Sequence, residues 1–371
     1  MNKKKFAEVK SLVDKLDQKK CQAKEVVQDT DQVLNEDVGN EEEPDPSETE
    51  LLEKMAEKPL DESKPMQVGM FTIKTFNQVI DDGGKNGELT PLYDEFWFES
   101  ETCCLYGDSN VGKSILAVQI AHSIASKGKK VLYFDFELSE AQISRRYTDK
   151  ETKERHSFPK NMYHVSLNYM MSTYSAEELP DQIIRQMETL VKKIGASVII
   201  IDNLTWIVYN SRSSKMAGEL MKRLSAMKNQ YNLSMLILAH TPKRNMSKPI
   251  TQNDLGGSKM IMNFLDSAFA IGCSAKDPNY RYIKQIKVRY AEMKYGEDNI
   301  CLCEIQPFRS FLMLQRVGNA IESEHLKKLK DGDKEALIVK IKAMRANGKS
   351  IREIAAELGM SPATVNRYSN K

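Results

Sequence analysis

The sequence predicts an α/β fold: a mainly parallel sheet covered by helices on both faces, an antiparallel edge, and a small all-α C-terminal module. Three observations carry this. Between residues 102 and 239, runs of consecutive apolar residues alternate with amphipathic stretches, the pattern of strands buried on both faces. After Phe269-Ala270-Ile271 the strand-like runs follow one another without helices, which reads as antiparallel pairing. From residue 334 onward only short helical segments remain, broken at Asn347-Gly348 and Gly359.

The chain has 371 residues, 41% of them hydrophobic, enough for one large α/β domain with appendages. Residues 1–66 hold 11 Lys/Arg against 18 Asp/Glu, and residues 35–66 alone hold 12 acids against 3 bases with four prolines. Such a composition cannot bury a core, so 1–66 is expected to be an acidic, largely disordered region. The spacing of Phe6, Val9, Leu12, Val13 and Leu16 allows one short helix in it. The expected domains are then 1–66, 67–320 and 330–371.

In the middle domain Thr102 to Tyr106 is the first strand and Ile115 to Ala121 continues a helix. Strands are expected at Lys130 to Phe136, Met162 to Ser166, Ala196 to Ile201 and Leu233 to Ala239. Helices are expected at Ser139 to Tyr147, Ala176 to Ile194 and Lys215 to Tyr231. Tyr280 to Val288, Ile300 to Ile305 and Phe311 to Gln315 form the antiparallel edge. In the tail, helices over Lys334 to Ala346, Ile351 to Leu358 and Pro362 to Tyr368 are expected, with Ser350 and Ser361 as N-caps.

Between the first strand and its helix lies Gly107-Asp108-Ser109-Asn110-Val111-Gly112-Lys113-Ser114, which fits G-x-x-x-x-G-K-[ST]. Strand, turn and helix start fall in the order a phosphate-cradling loop requires. Gly107 and Gly112 let the backbone wrap phosphate oxygens, and the loop amides point at the negative charge. Lys113 is expected to reach the β- and γ-phosphates of ATP, with the Ser114 hydroxyl on Mg²⁺. The aromatic cluster Tyr93, Phe96, Trp97 and Phe98 is expected to pack on the first strand or near the base. Val198-Ile199-Ile200-Ile201-Asp202 follows about 90 residues later as four apolar residues ending in an acid. Asp202 at that strand tip is the second expected metal ligand. Glu137 ends the second strand. If that strand lies close to the first, Glu137 faces the γ-phosphate and can deprotonate water; otherwise it caps the next helix. His240 ends the strand before the long loop, either as a γ-phosphate sensor or as a neutral structural histidine.

This order of phosphate loop, Glu137, Asp202 and His240 resembles the RecA-like ATPases, and within them the RepA/DnaB-type hexameric helicases of mobile elements. Phe136-Glu137-Leu138-Ser139 through Arg146, Ala239-His240-Thr241-Pro242-Lys243, Asp254-Leu255-Gly256-Gly257-Ser258 and Lys287-Val288-Arg289 are each similar to family segments. The resemblance covers roughly residues 67–316 and implies a RecA-like P-loop NTPase core. It also implies a homo-oligomer, hexamers included, in which Arg289 reaches a neighbour's nucleotide; Tyr290-Ala291-Glu292 stands where the family keeps a glycine.

Two loops suit single-stranded DNA, Asn210 to Ser214 with Arg212, and Lys243 to Asn253 with Lys243, Arg244 and Lys248, all as phosphate contacts. The alternative is a solvated loop. The tail from Ile351 to Tyr368 resembles the helix-turn-helix of resolvase and invertase recombinases. That resemblance puts Ser361, Ala363, Thr364, Asn366 and Arg367 on or at the start of a recognition helix for duplex DNA. A protein-docking three-helix module is the alternative. Residues 326–371 carry 11 Lys/Arg against 5 Asp/Glu, which favours nucleic acid.

No run of 18 apolar residues exists and no apolar run follows Met1-Asn2-Lys3-Lys4-Lys5, so a cytoplasmic location without membrane association is expected. Cys21, Cys103, Cys104, Cys273, Cys301 and Cys303 lack zinc-site spacing and are expected to be free thiols. Two functions remain: ATP-driven work on DNA as a helicase or remodelling factor, or an ATP-switched, sequence-specific DNA-binding regulator or loader without unwinding activity.

Overall fold

A computed structural model describes residues 64–85, 90–168, 179–209, 214–242, 244–255, 259–328 and 331–370. The expected N-terminal disorder and short helix, Cys21, Arg212, Lys243 and Gly256 to Ser258 lie outside them. The chain divides into two compact units, Met1–Gly87 and Glu88–Lys371. In the first, β1 (Met66–Val68) and β2 (Phe71–Ile73) form an antiparallel hairpin, followed by α1 (Phe76–Lys85). Thr75 and Gln78 cap this helix reciprocally, the Gln78 amide donating to Thr75 Oγ1 at 3.2 Å and the Thr75 amide to Gln78 Oε1 at 2.8 Å.

The second unit opens with the small pair β3 (Pro91–Tyr93) and β4 (Trp97–Phe98). The parallel strands are β5 (Thr102–Gly107), β6 (Val131–Asp135), β7 (Met162–Ser166), β8 (Val198–Asp202), β9 (Ser234–His240) and β10 (Ser267–Cys273). The antiparallel edge is β11 (Tyr280–Lys287), β12 (Ile300–Phe308) and β13 (Phe311–Ala320). Among the described residues these nine strands form one sheet in the order β13-β12-β11-β10-β5-β9-β8-β6-β7. The helices between them are α2 (Lys113–Ser126), α3 (Glu140–Arg146), α4 (Leu179–Ile194), α5 (Leu204–Tyr209), α6 (Ser214–Tyr231) and α7 (Lys259–Phe264).

Alternation along the central strands explains both covered faces. Cys104, Leu132, Phe134, Ile199, Ile201, Met235 and Ile237 face a core built with Ile183, Met187, Leu220 and Leu224 of α4 and α6. Cys103, Leu105, Val131, Val198, Ile200 and Leu236 face the other, with Leu116, Ile120 and Ile124 of α2. Phe96 and Trp97 are core residues here, and Phe96 stacks on Tyr295 with ring centroids 4.9 Å apart, so this part of the aromatic cluster packs rather than lines the phosphate loop. The five described cysteines are free, four of them buried.

One expected neighbourhood is corrected. The second strand, β6, does not lie beside the phosphate-loop strand β5: β9 and β8 stand between them. Adjacency in sequence does not fix order in a doubly wound sheet, and the crossover through α2 carries the chain past two strand positions.

After α8 (Glu322–His325), the tail forms α9 (Asp331–Ala346), α10 (Ile351–Glu357) and α11 (Pro362–Ser369). Ser350 and Ser361 are its N-caps, accepting from the Glu353 and Thr364 amides. Ile354 and Val365 are fully buried, joined by Ile341, Met344, Ala355 and Tyr368, while Leu358 is only partly buried against them. Helix, turn at Gly359 and second helix follow the expected helix-turn-helix.

A buried charge cluster ties the loop after β9 to the antiparallel edge. Lys284 Nζ on β11 donates to Glu322 Oε2 at 2.5 Å, to Glu297 Oε1 at 3.1 Å and to the Ile250 carbonyl at 3.0 Å. Glu322 is fully buried and also accepts from the Ile250 amide at 2.8 Å. Removing one member of a buried pair leaves the other uncompensated. Glu322→Leu should therefore lower stability by about 3–5 kcal/mol. The check is a guanidinium unfolding curve whose midpoint falls at unchanged slope.

Candidate nucleotide site

The phosphate loop joins β5 to α2, and its two glycines are there for different reasons. A Cβ on Gly107 would overlap the Ile271 carbonyl of neighbouring β10, so packing requires that glycine. Gly112 has φ +104°, the left-handed region, and a Cβ there would meet Ile305 Cδ1 at 2.9 Å. The carbonyl of Val111 is held from β11 by Arg281 Nε at 3.0 Å. A cavity of about 380 Å³ opens over the loop, lined among others by Ser109, Asn110, Gly112, Lys113 and Ser114.

Lys113 turns into the loop, donating to the carbonyls of Gly107 at 3.0 Å and Asp108 at 2.8 Å, and facing His240 Nδ1 at 3.1 Å. Burial lowers its pKa, opposed by the carboxylates of Asp202, Glu137 and Asp108. Asp202 ends β8 at 1% exposure; burial pushes its carboxyl up to about 6, against the hydroxyls of Ser114 and Tyr133, the latter at 2.7 Å. A buried carboxylate and a serine hydroxyl form an all-oxygen donor set of the kind Mg²⁺ takes, and so they fit that ion.

Glu137 reaches the same cavity from three strands away. The turn after β6 brings it there. Asp135 Oδ1 accepts from the amides of Glu137 and Leu138, both at 2.9 Å, bending the chain toward the loop. Ser139, not Glu137, caps α3. Glu137 Oε1 lies 3.1 Å from His240 Nε2, and the hydrogen bonds from His240 and Asn203 hold its carboxyl below the usual range.

The structure thus gathers Lys113, Ser114, Glu137 and His240 around one cavity, with Asp202 buried behind Ser114, to whose hydroxyl it is bonded. It does not bring Arg289 there. Arg289 pairs with Asp266 at 2.8 Å, at the opposite end of the sheet, where Asp266 also accepts from the Thr102 amide at the start of β5.

Arg244 departs from its expected role. Its side chain is 4% exposed, its Nε lies 3.4 Å from Asp108 Oδ2 of the phosphate loop, and its Nη1 donates to the Lys248 carbonyl at 3.0 Å. A guanidinium buried against a carboxylate braces the loop and is not free to contact DNA. Thr241 likewise donates its hydroxyl to Asp108. Lys248 is half-buried, and its Nζ lies 3.7 Å from where a Cβ on Gly359 would stand, beside the turn of the tail. Of the recognition-helix candidates, Asn366 and Arg367 are exposed and Thr364 half-buried, Thr364 bonding the Ser361 cap.

Three contributors were not singled out from sequence: Asn203, Arg244 as a loop brace, and Arg146 as a cavity wall. Arg146 lines the phosphate cavity and also a larger cleft of about 730 Å³ between α3, the following loop and the β12–β13 turn at Pro307, Arg309 and Ser310. Asn203 could have been found from its position directly after Asp202, and Arg146 from its place nine residues after Glu137 in the segment that resembles the family's; Arg244 carries no local signal.

An AAA domain model matches residues 73–246, and a helix-turn-helix domain model matches residues 335–368. Two curated relatives are both named DNA repair protein RadA. The one from Campylobacter jejuni is 28% identical over 151 residues, covering 39% of this chain and 29% of its own length. The one from Chlamydia muridarum is 21% identical over 305 residues, covering 80% and 57% respectively. The matched part of this chain therefore spans less than two thirds of either relative. A KaiC-like protein of Pyrococcus horikoshii is similar at a TM-score of 0.45 and 14% identity, over 59% of this chain and 90% of that one. The core is a mainly parallel α/β sheet with a P-loop and an antiparallel edge, and the region matched by the helix-turn-helix domain model follows it. Among the described residues no helix is long and apolar enough to cross a membrane.

Proposed function

We propose that this protein hydrolyses ATP to act on DNA, as a RepA-like helicase or remodelling ATPase in replication or transfer of a mobile element. The convergence of Lys113, Ser114, Glu137 and His240 on one cavity, with Asp202 bonded to Ser114 behind it, in a chain that also carries a helix-turn-helix domain, supports this most directly. The relatives named for DNA repair favour DNA as the partner.

The triphosphate lies along the loop amides, and Lys113 swings from the carbonyls of Gly107 and Asp108 to the β- and γ-phosphates. Ser114 and Asp202 would hold Mg²⁺, which neutralises charge on the β- and γ-oxygens. The nucleoside runs past Arg146 into the cleft beside the β12–β13 turn, since Arg146 borders both spaces. Glu137 takes a proton from water as the water oxygen bonds to the γ-phosphorus; the bond to the β–γ bridging oxygen breaks, and its electron pair leaves with ADP. His240 loses its Lys113 contact when the lysine moves, and so registers the phosphate. Arg289 acts on a neighbouring subunit's nucleotide in a homo-oligomer, once released from Asp266. The site is then composite, and turnover depends on assembly.

The helix-turn-helix supports the second reading, an ATP-switched duplex-binding regulator or loader, because an unwinding motor has no need to read a site. A strand-displacement assay with ATP separates the two. Deleting residues 334–371 should abolish preference for a particular duplex site while single-stranded DNA still stimulates turnover. Lys248→Ala should flatten the salt dependence of non-specific binding by about one unit of slope, the loss of one phosphate contact. Gel shifts on specific and random duplex, beside ATPase assays, check both. Site preference that survives the deletion would make the tail a docking module.

A further inference from the structure

We propose that Asn203 is the positioning residue of the hydrolytic base, an inference that rests on Glu137 being that base. Asn203 is 1% exposed at the tip of β8, and its two amide ends face different partners. Oδ1 accepts from the Trp206 amide in the first turn of α5 at 2.9 Å. Nδ2 donates to Glu137 Oε1 and lies 3.0 Å from His240 Nε2. A backbone amide can only donate, so the oxygen must face Trp206 and the amino group must face Glu137.

The histidine tautomer follows by the same logic. Lys113 Nζ, an obligate donor when charged, stands 3.1 Å from His240 Nδ1, so Nδ1 accepts and the ring proton sits on Nε2. Nε2 then donates to Glu137 Oε1 at 3.1 Å. Two N–H groups, from Asn203 and His240, converge on one carboxylate oxygen. They fix the plane of the Glu137 carboxylate and leave Oε2 as the oxygen for water. The two donors belong to different strand tips, but only Asn203 is rigid in this role, because its other end is bound to α5. His240 is expected to rearrange when Lys113 moves to phosphate; Asn203 has no such reason to move. Any displacement of α5 is passed through this one amide to the base.

The chemistry explains why an amide stands here. Asp would keep the length and cap α5 but turn a carboxylate toward Glu137. Ser would keep the cap and be too short to reach Glu137. Either substitution preserves the helix start and removes the orienting bond.

The experiment compares full-length wild type, Asn203→Ser, Asn203→Asp, Glu137→Gln and the Asn203→Ser/Glu137→Gln double variant. Affinity for a fluorescent non-hydrolysable ATP analogue, kcat and KM for ATP, and thermal melting are measured for each. Both Asn203 variants should melt near wild type and bind the analogue normally. Their KM should stay within about twofold and kcat should fall roughly 10- to 100-fold, the penalty of a misplaced catalytic group. The double variant should be no slower than Glu137→Gln, because Asn203 acts only through that carboxylate. A wild-type kcat in both Asn203 variants beside a slow Glu137→Gln overturns the inference alone and leaves Asn203 a helix cap. A raised KM with unchanged kcat overturns it as well, as does an additive loss in the double variant. Glu137→Gln turning over at the wild-type rate overturns the base assignment and this inference together.

Discussion

Lys113→Ala leaves a folded protein whose ATP turnover is lost, a fall of at least about 10²–10³-fold. Lys113 is 5% exposed and its ammonium is held by two loop carbonyls and His240 Nδ1, so it is stored at the point where the phosphates arrive. Three carboxylates, Asp202, Glu137 and Asp108, oppose the effect of burial and favour its charge. Alanine removes the only loop side chain that can place a positive charge between the β- and γ-phosphates. It also strips His240 of the donor that sets its tautomer, so the defect reaches Glu137. Phosphate release and binding of a fluorescent ATP analogue measure the loss, with circular dichroism as the control for folding. Wild-type turnover in the folded variant would remove the central claim.

Glu137→Gln should bind ATP and hydrolyse it about 10²–10⁴-fold more slowly, the range for loss of a general base. Glutamine keeps the shape and cannot take the proton. Asp135, the nearest acid in sequence, cannot replace it. It is 3% exposed, its Oδ1 is engaged by the Glu137 and Leu138 amides, and its Oδ2 faces His164 at 3.4 Å. Single-turnover hydrolysis set beside binding separates slow chemistry from weak binding. Unchanged turnover would remove the base assignment from Glu137.

Much of the site was legible because its parts are local. The phosphate loop is eight consecutive residues, Asp202 and His240 each terminate an apolar run, and Ser350 and Ser361 announce their helices three residues ahead of their partners. Each signal is complete within one turn or one strand. What was not legible depends on pairs far apart in the chain. Nothing around Arg244 marks it for Asp108, 136 positions earlier, and a basic residue in a polar loop reads as a phosphate contact until burial is seen. Strand order was lost for the same reason: a buried apolar strand looks alike in any interior position of the sheet. Asn203 stands between these cases, close to a recognisable acid yet meaningful only through Glu137.

The clasp formed by Lys284, Glu322 and Ile250 has a thermodynamic corollary. The loop it holds begins at the His240 strand and includes Arg244, which braces the phosphate loop. The Lys327 amide bonds the Met246 carbonyl in that same loop at 3.0 Å, just ahead of the tail. A nucleotide that shifted the loop would therefore do work on the linker of the helix-turn-helix. By linkage the traffic is equal in both directions. If ATP changed duplex affinity by a factor of ten, the duplex would change ATP affinity by the same factor, about 1.4 kcal/mol of coupling. Loosening the clasp would shrink both numbers together.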